Sequence, residues 1–281
     1  MLREAHPRTF RLLATVFALF VLFLYGPTLT ITILSFQGPE GGLTFPMNGV
    51  SLHWFAEVFR QQSIGDVHGG FRRSIALGLI VMVLTVAISF LAGLAFRSRF
   101  KGATLLFYVV VASLIMPSIV VSLGIAALFE LLGIERTWWG SGLGAHLTWT
   151  LPFGLLIMFA VFNRFDRRLE EAARDLGATG VQTVRHVVIP VIAPSLVGVG
   201  LFGFTLSYDE LARSSQVLGN LNTLPLELQA MQSNATTPVI YALGTLTTAV
   251  SFLVIALSLA TLLYLRRRQE RRGSDAGKGM V

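Results

Sequence analysis

Glu171-Ala172-Ala173-Arg174-Asp175-Leu176-Gly177, continuing through Ala178 and Thr179 to Ile189-Pro190, is a polar interruption between two strongly apolar runs. Leu169, Ala172, Ala173 and Leu176 recur at i, i+3, i+4 and i+7, which places one small apolar stripe on a short helix. Glu170 and Arg174 stand four apart with the acid first, the favourable order for a pair on one helix. Gly177 supplies the left-handed position that ends a helix. Thr179, with Gln182 three residues on, can cap a second helix carrying Val181, Val184 and Val188 on one face. Pro190 and Pro194 are expected to stop that helix before the next apolar run. The pattern predicts a helix–Gly–helix elbow outside the bilayer, with a small-residue face suited to docking another protein.

The rest of the chain is written for lipid. Of 281 residues, 53% are hydrophobic and only 13% charged, with a mean hydropathy of +0.69. Soluble domains carry about 25% charged residues. Long apolar runs cover residues 12–36, 74–96, 104–132, 146–163, 194–217 and 238–265, which predicts six crossings and an all-α membrane fold. The first run is longer than the roughly 7–15 residues of a signal-peptide core and has no small-residue cleavage site, so it reads as an uncleaved span. Residues 1–11 form a basic tail, 37–73 an outer loop and 266–281 a second basic tail. Within the outer loop, residues 54–60 resemble a short interfacial amphipathic helix. Met116-Pro117 interrupts the third run and Pro152 the fourth, either to kink a wall that must flex or as prolines that spans simply tolerate. Trp138-Trp139 is placed to anchor the interface.

The net charge of +7 has a topological origin. Of the 22 Lys and Arg, 17 lie in the two tails, in 97–101 and in 164–193. These four segments alternate along the chain, so they share one side, which the positive-inside rule makes cytoplasmic. Both termini are therefore expected inside, and no nucleic-acid partner is called for. No Gly-x-x-x-x-Gly-Lys-[Ser/Thr] loop is present, so ATP hydrolysis is not expected of this chain. No cysteine is available, and no histidine pair has the i, i+4 spacing of a helical metal site, so neither metal ligands nor catalytic residues are assigned. His186 on the elbow reads as a solvated or interface residue.

The fifth run carries the informative charges, Ser207-Tyr208-Asp209-Glu210 with Arg213 one turn on. Counted from Pro194, Asp209 lies about 22 Å in, past the midplane. Two readings stand. Arg213 is at i+4 from Asp209 and i+3 from Glu210, which allows an internal ion pair. Alternatively, two acids against one arginine leave negative charge in a path for a cationic solute, with Phe204 and Tyr208 able to stack on it.

The elbow resembles the "EAA" loop of the membrane subunits of bacterial ABC-type importers. That pattern is Glu-Ala-Ala, three residues, Gly, nine residues, then Ile-x-Leu-Pro, and the chain offers Glu171-Ala172-Ala173, Gly177 and Val187-Val188-Ile189-Pro190. The likeness covers most of the chain from the second apolar run onward. It implies a six-helix type I importer permease in a bacterial inner membrane, with Glu171, Ala172, Ala173, Asp175, Gly177, Ala178 and Pro190 forming the part that seats in a separate ATPase subunit. It also implies a pair of ATP-binding subunits holding the ATP and magnesium, a second permease subunit, an external solute-binding protein and the surrounding lipid. Phe204 to Glu210, with Met116-Pro117-Ser118-Ile119-Val120, looks like the second permease of putrescine/spermidine importers. On that resemblance Phe204, Ser207, Tyr208, Asp209 and Glu210 belong to the substrate path. Related permeases for iron, thiamine and sulfate share the fold, and Arg73-Ser74 departs from the Asn-Ser often found at the entry to span two. A stand-alone secondary transporter or channel is the reading from another class, and a membrane scaffold the third.

Overall fold

A computed structural model of the chain describes residues 7–60, 65–98, 100–234 and 238–278; Arg3 of the first basic tail and Arg99 of the 97–101 run lie outside these residues. The described residues are helical apart from connecting loops and one isolated bridge, Gln37 with Val50. They fall into two compact units, residues 1–65 with 230–250, and residues 66–229 with 251–281.

The first unit contains helices α1 (Pro7–Leu34) and α2 (His53–Val58). Between them the chain wraps around Gln37, whose side chain is fully buried. Its Nε2 donates to the Gly42 carbonyl at 3.0 Å, and its Oε1 accepts from the Asn48 backbone N–H at 2.8 Å. A glutamine can be buried here because its amide ends are used by backbone groups. The helix α2 corresponds to the amphipathic segment expected at 54–60, one residue earlier at its start.

The second unit holds α3 (Val67–Phe96), α4 (Ala103–Ala112), α5 (Ser118–Leu131) and α6 (Leu143–Arg164), the last entered through a wide π turn at Trp138–Gly142. It continues with α7 (Arg168–Asp175), α8 (Gly180–Thr183), a second π turn at Val184–Val188, α9 (Ile189–Tyr208) and α10 (Ser214–Val217), while α11 (Leu224–Asn234) divides between the units at Gln229 and Ala230. The last helix, α12 (Val239–Lys278), belongs to the first unit up to Val250 and to the second from Ser251, and runs on into the expected basic tail. Small residues set the close packing of α3, α6 and α9, as they do where lipid offers no hydrophobic drive between helices. A methyl group on Gly78 would meet the Phe204 ring at 3.0 Å, and one on Gly93 would crowd Phe162 and Met158. Thr85 and Thr150 share a buried hydroxyl hydrogen bond of 2.7 Å between α3 and α6. Below it, Met158, Phe162, Val188, Ile192 and Val199 form an apolar cluster.

Among the described residues, five helical stretches are long and apolar enough to cross a membrane: 9–34, 67–96, 138–164, 180–208 and 239–265. The third apolar run differs from its expected form, since 104–132 is two helices rather than one kinked span. Pro117 offers no N–H and disfavours helical backbone at Met116, so the chain leaves the helix after Ala112 and restarts at Ser118. The fifth run differs at both ends. Pro190 and Pro194 do not stop the elbow's second helix, which runs unbroken from Gly180 to Tyr208. The π turn at Val184–Val188 takes up the register just before Pro190, which then sits in the first turn of α9. The helix also stops at Tyr208 rather than Val217, where two adjacent carboxylates oppose the negative end of the helix dipole.

Candidate functional site

The elbow forms as its sequence prescribes. Gly177 has φ +85°, and the turn is closed by two backbone bonds, Gly177 N–H to Arg174 O at 2.8 Å and Ala178 N–H to Ala173 O at 3.0 Å. This is the Schellman pairing, which satisfies the carbonyls left open at the end of α7. One residue later Thr179 and Gln182 make a reciprocal capping box, with Gln182 Oε1 accepting from Thr179 N–H at 2.8 Å and Thr179 Oγ1 accepting from Gln182 N–H at 3.3 Å. Two helices thus end and begin within five residues, the turn between them closed by backbone bonds and a capping box.

The elbow's apolar side chains face outward. Leu176 is 90% exposed and Val181 78%, with Leu169, Ala172, Glu171 and Asp175 also exposed. Ala173 and Ala178 are half-buried, and Pro190 is half-buried at the foot of α9 rather than on the elbow itself. The expected valine face divides, because Val188 is fully buried in the cluster around Met158 while Val181 points away. His186 is exposed, with Nδ1 3.0 Å from the Gln182 carbonyl.

Glu170 is the one buried residue of α7, and it does not make the pair with Arg174 that its spacing suggests. Both its carboxylate oxygens accept from Arg97, Nη1 to Oε1 at 2.8 Å and Nη2 to Oε2 at 2.6 Å. The hydrogen bonds from Arg97 hold the Glu170 carboxyl below its ordinary range, partly offset by burial and helped by the charges of Arg97, Arg174 and Arg167. The guanidinium lies over the rings of Phe162 and Phe165, 5.1 and 5.4 Å from their centroids. Beside this pair a cavity of about 490 Å³ opens, lined among others by Leu94, Arg167, Glu171 and Val184.

At the other end of α9 the structure separates the residues expected to act together. Phe204, Ser207 and Tyr208 are buried, with the Phe204 and Tyr208 rings stacked 5.4 Å apart. Ser207 Oγ lies 2.7 Å from His146 Nδ1, and Ser214 Oγ 2.9 Å from His146 Nε2. Ser214 spends its proton on the Glu210 carbonyl at 2.6 Å, so His146 Nε2–H donates to Ser214 and Nδ1 accepts from Ser207. Arg213 is fully buried, its guanidinium carbon 4.4 Å from the Trp149 ring centroid. Its Nη1 is 3.7 Å from Glu210 Oε2, and its backbone N–H donates to Glu210 Oε1 at 2.8 Å. Arg213 therefore faces Glu210, and Asp209 is exposed. Arg97, His146 and Trp149 are partners that spacing rules could not reach, since each lies far along the chain from the group it meets.

Comparison with known proteins gives the same architecture. A spermidine/putrescine transport system permease protein, PotC of Haemophilus influenzae, is 30% identical over 240 residues, covering 84% of this chain and 90% of that protein. The putrescine transport system permease protein PotI of Escherichia coli K12 is 29% identical over 231 residues, 80% of this chain and 81% of that one. Among solved structures, a bacterial ABC transporter involved in the import of the acidic polysaccharide alginate superposes with a TM-score of 0.70 at 13% identity, covering 91% of this chain and 94% of that one. The inward-facing MetNI methionine ABC transporter gives 0.58 at 17% identity over 71% of this chain and 95% of that one. Likenesses at such identities carry the fold and nothing finer. Residues 85–271 match the family described as binding-protein-dependent transport system inner membrane component, and the chain belongs to that family.

Proposed function

We propose that this permease subunit works in an ATP-driven importer for a di- or polyamine of the putrescine/spermidine type. Counting α4 and α5 as one broken crossing gives six, and the concentration of Lys and Arg in alternate segments puts both termini in the cytoplasm of a bacterial inner membrane. The elbow Arg168–Thr183 seats on one of a pair of ATPase subunits that hold ATP and magnesium, a second permease subunit completes the pathway, and an external binding protein delivers the solute. The observation that carries the docking role is the outward display of Leu176 and Val181 on a turn fixed by the Schellman bonds and the capping box. Apolar side chains on so ordered a cytoplasmic turn are suited to a partner's groove.

The choice of solute rests on the relatives' names and on the exposed Asp209, which supplies negative charge beside the outer end of α9. Glu210 has a separate structural role against Arg213. Uptake of radiolabelled putrescine and spermidine, against amino acids, sulfate and thiamine, in vesicles containing the whole complex tests the assignment. ATP-dependent amine uptake supports it. Selective uptake of an anion or a neutral solute would return Asp209 to a structural role and overturn the solute while leaving the permease architecture in place.

A further inference from the structure

We propose that Arg97 and Glu170 form the strut that makes the coupling helix α7 move as one body with the second span, so that force from the ATPase enters the membrane domain through α3. The inference rests on the docking role proposed above for the elbow and adds the residues that transmit it. Three observations carry it. The helix α7 is only eight residues long, and Glu170 is its one buried residue, with Ala173 half-buried, so a charged anchor rather than a broad apolar face ties it to α3. That anchor is a two-point fork, with both oxygens held at 2.6 and 2.8 Å, which fixes orientation as well as distance. Arg97 is the C-cap residue of α3, its backbone N–H bonded to the last turn, and its guanidinium lies on Phe162 and Phe165 at the end of α6, so one residue joins the end of span two, the end of span four and the coupling helix.

The alternative route for force is the chain itself. Toward α9 it passes through Gly177 and the Schellman turn, and toward α6 through residues 165–167. The turn fixes α7 against α8, but neither connection reaches α3. The fork does, and a lysine could not replace it, because a point charge fixes separation without fixing the plane. Side chains of Arg97 and Glu170 are 14% and 11% exposed, so salt screens the pair little.

The natural chain has no cysteine, so a pair of labels can be placed without removing any. Arg168→Cys on α7 and Leu91→Cys on α3, both at exposed positions, report the distance between the helices by electron–electron double resonance in the assembled complex, at rest and trapped with ATP and vanadate. With Arg97 and Glu170 intact, one narrow distance is expected in both states. Glu170→Gln should broaden or shift it on trapping and lower solute imported per ATP hydrolysed about tenfold, with Arg97→Lys intermediate. The exchanged pair, Arg97→Glu with Glu170→Arg, should recover part of the ratio. An unchanged narrow distance and ratio in Glu170→Gln overturns the strut. Leu176→Asp separates the underlying reading: if it leaves ATPase binding intact, the docking face itself is wrong, whereas lost binding together with a normal ratio in Glu170→Gln removes the strut alone.

Discussion

Gly177 gives the cleanest measure of the elbow. Its φ of +85° lies where side chains are strained, yet an added Cβ would meet nothing within 4 Å. A substitution there therefore acts through the backbone alone and not through volume. Alanine in the left-handed region costs about 1–2 kcal/mol, and a β-branched residue toward about 3 kcal/mol. At about 1.4 kcal/mol per factor of ten, Ala lowers the population of the docking-competent turn roughly five- to thirtyfold and Val about a hundredfold. Apparent affinity for the ATPase subunits falls by the same factor once the competent fraction becomes the minority. Asparagine tolerates the left-handed region and should lie close to glycine. Titrating ATPase subunits onto vesicles holding the permease pair gives the order Gly, Asn, Ala, Val, with membrane insertion the same in all four. If Asn is as damaging as Val, the conformational argument is wrong. If Val binds like the natural chain, the turn is not what docks.

The two adjacent acids should now part company. Asp209→Asn should reduce amine uptake at least tenfold while leaving the yield of folded complex unchanged, and Glu210→Gln should lower the yield, because it weakens the charge facing buried Arg213; the opposite assignment of losses refutes the separation. Replacing His146 with Ala removes the acceptor for Ser207 and a donor to Ser214 and opens a cavity, a destabilisation of about 2–4 kcal/mol in thermal unfolding, of which Gln should recover part; an unchanged transition would dismiss the bridge. Because Arg97 depresses the Glu170 carboxyl, the stability this pair contributes is fully present above the ordinary value of 4.5 and is lost as pH falls through the lower folded value. The gap in melting temperature between the natural complex and Glu170→Gln should therefore close on acidification from pH 7 to below 4. A gap independent of pH would mean that the carboxylate charge is not what holds α7.

What could be read from the sequence was whatever is encoded within about one helical turn. Gly177, Thr179 and Gln182 specify the elbow through bonds spanning three to five residues, and those bonds are present. Apolar length marked six runs, five of which are long helices among the described residues, and Pro117 marks the place where the third run divides. The misreadings came from applying local rules to groups whose partners are distant. Glu170 and Arg174 satisfy the i, i+4 rule, but Glu170 is on the face of α7 turned toward the second span, where Arg97, 73 residues earlier, makes two bonds instead of one. Similarly, Pro190 has the local signature of a helix stop, and the π turn that lets the helix pass it leaves no pattern in hydrophobicity.

The two ends of the 180–208 helix show how these kinds of information divide between tasks. At its elbow end the geometry is set by nearby backbone bonds and caps, so on the proposed function the docking turn can keep its shape while its support moves. At its other end the contacts between helices are long-range: His146 reaches Ser207 and Ser214 across 61 and 68 residues, and Trp149 underlies Arg213 from another helix. Such contacts report the relative position of α6 and α9, and they must rearrange or travel together when those helices do. On the proposed function, rigid local structure at the elbow and long-range polar joints at the far end are what a lever needs. The Arg97–Glu170 fork belongs with the second kind by its sequence separation and with the first by its location, which is why it is the contact whose loss should uncouple the two ends without unfolding either.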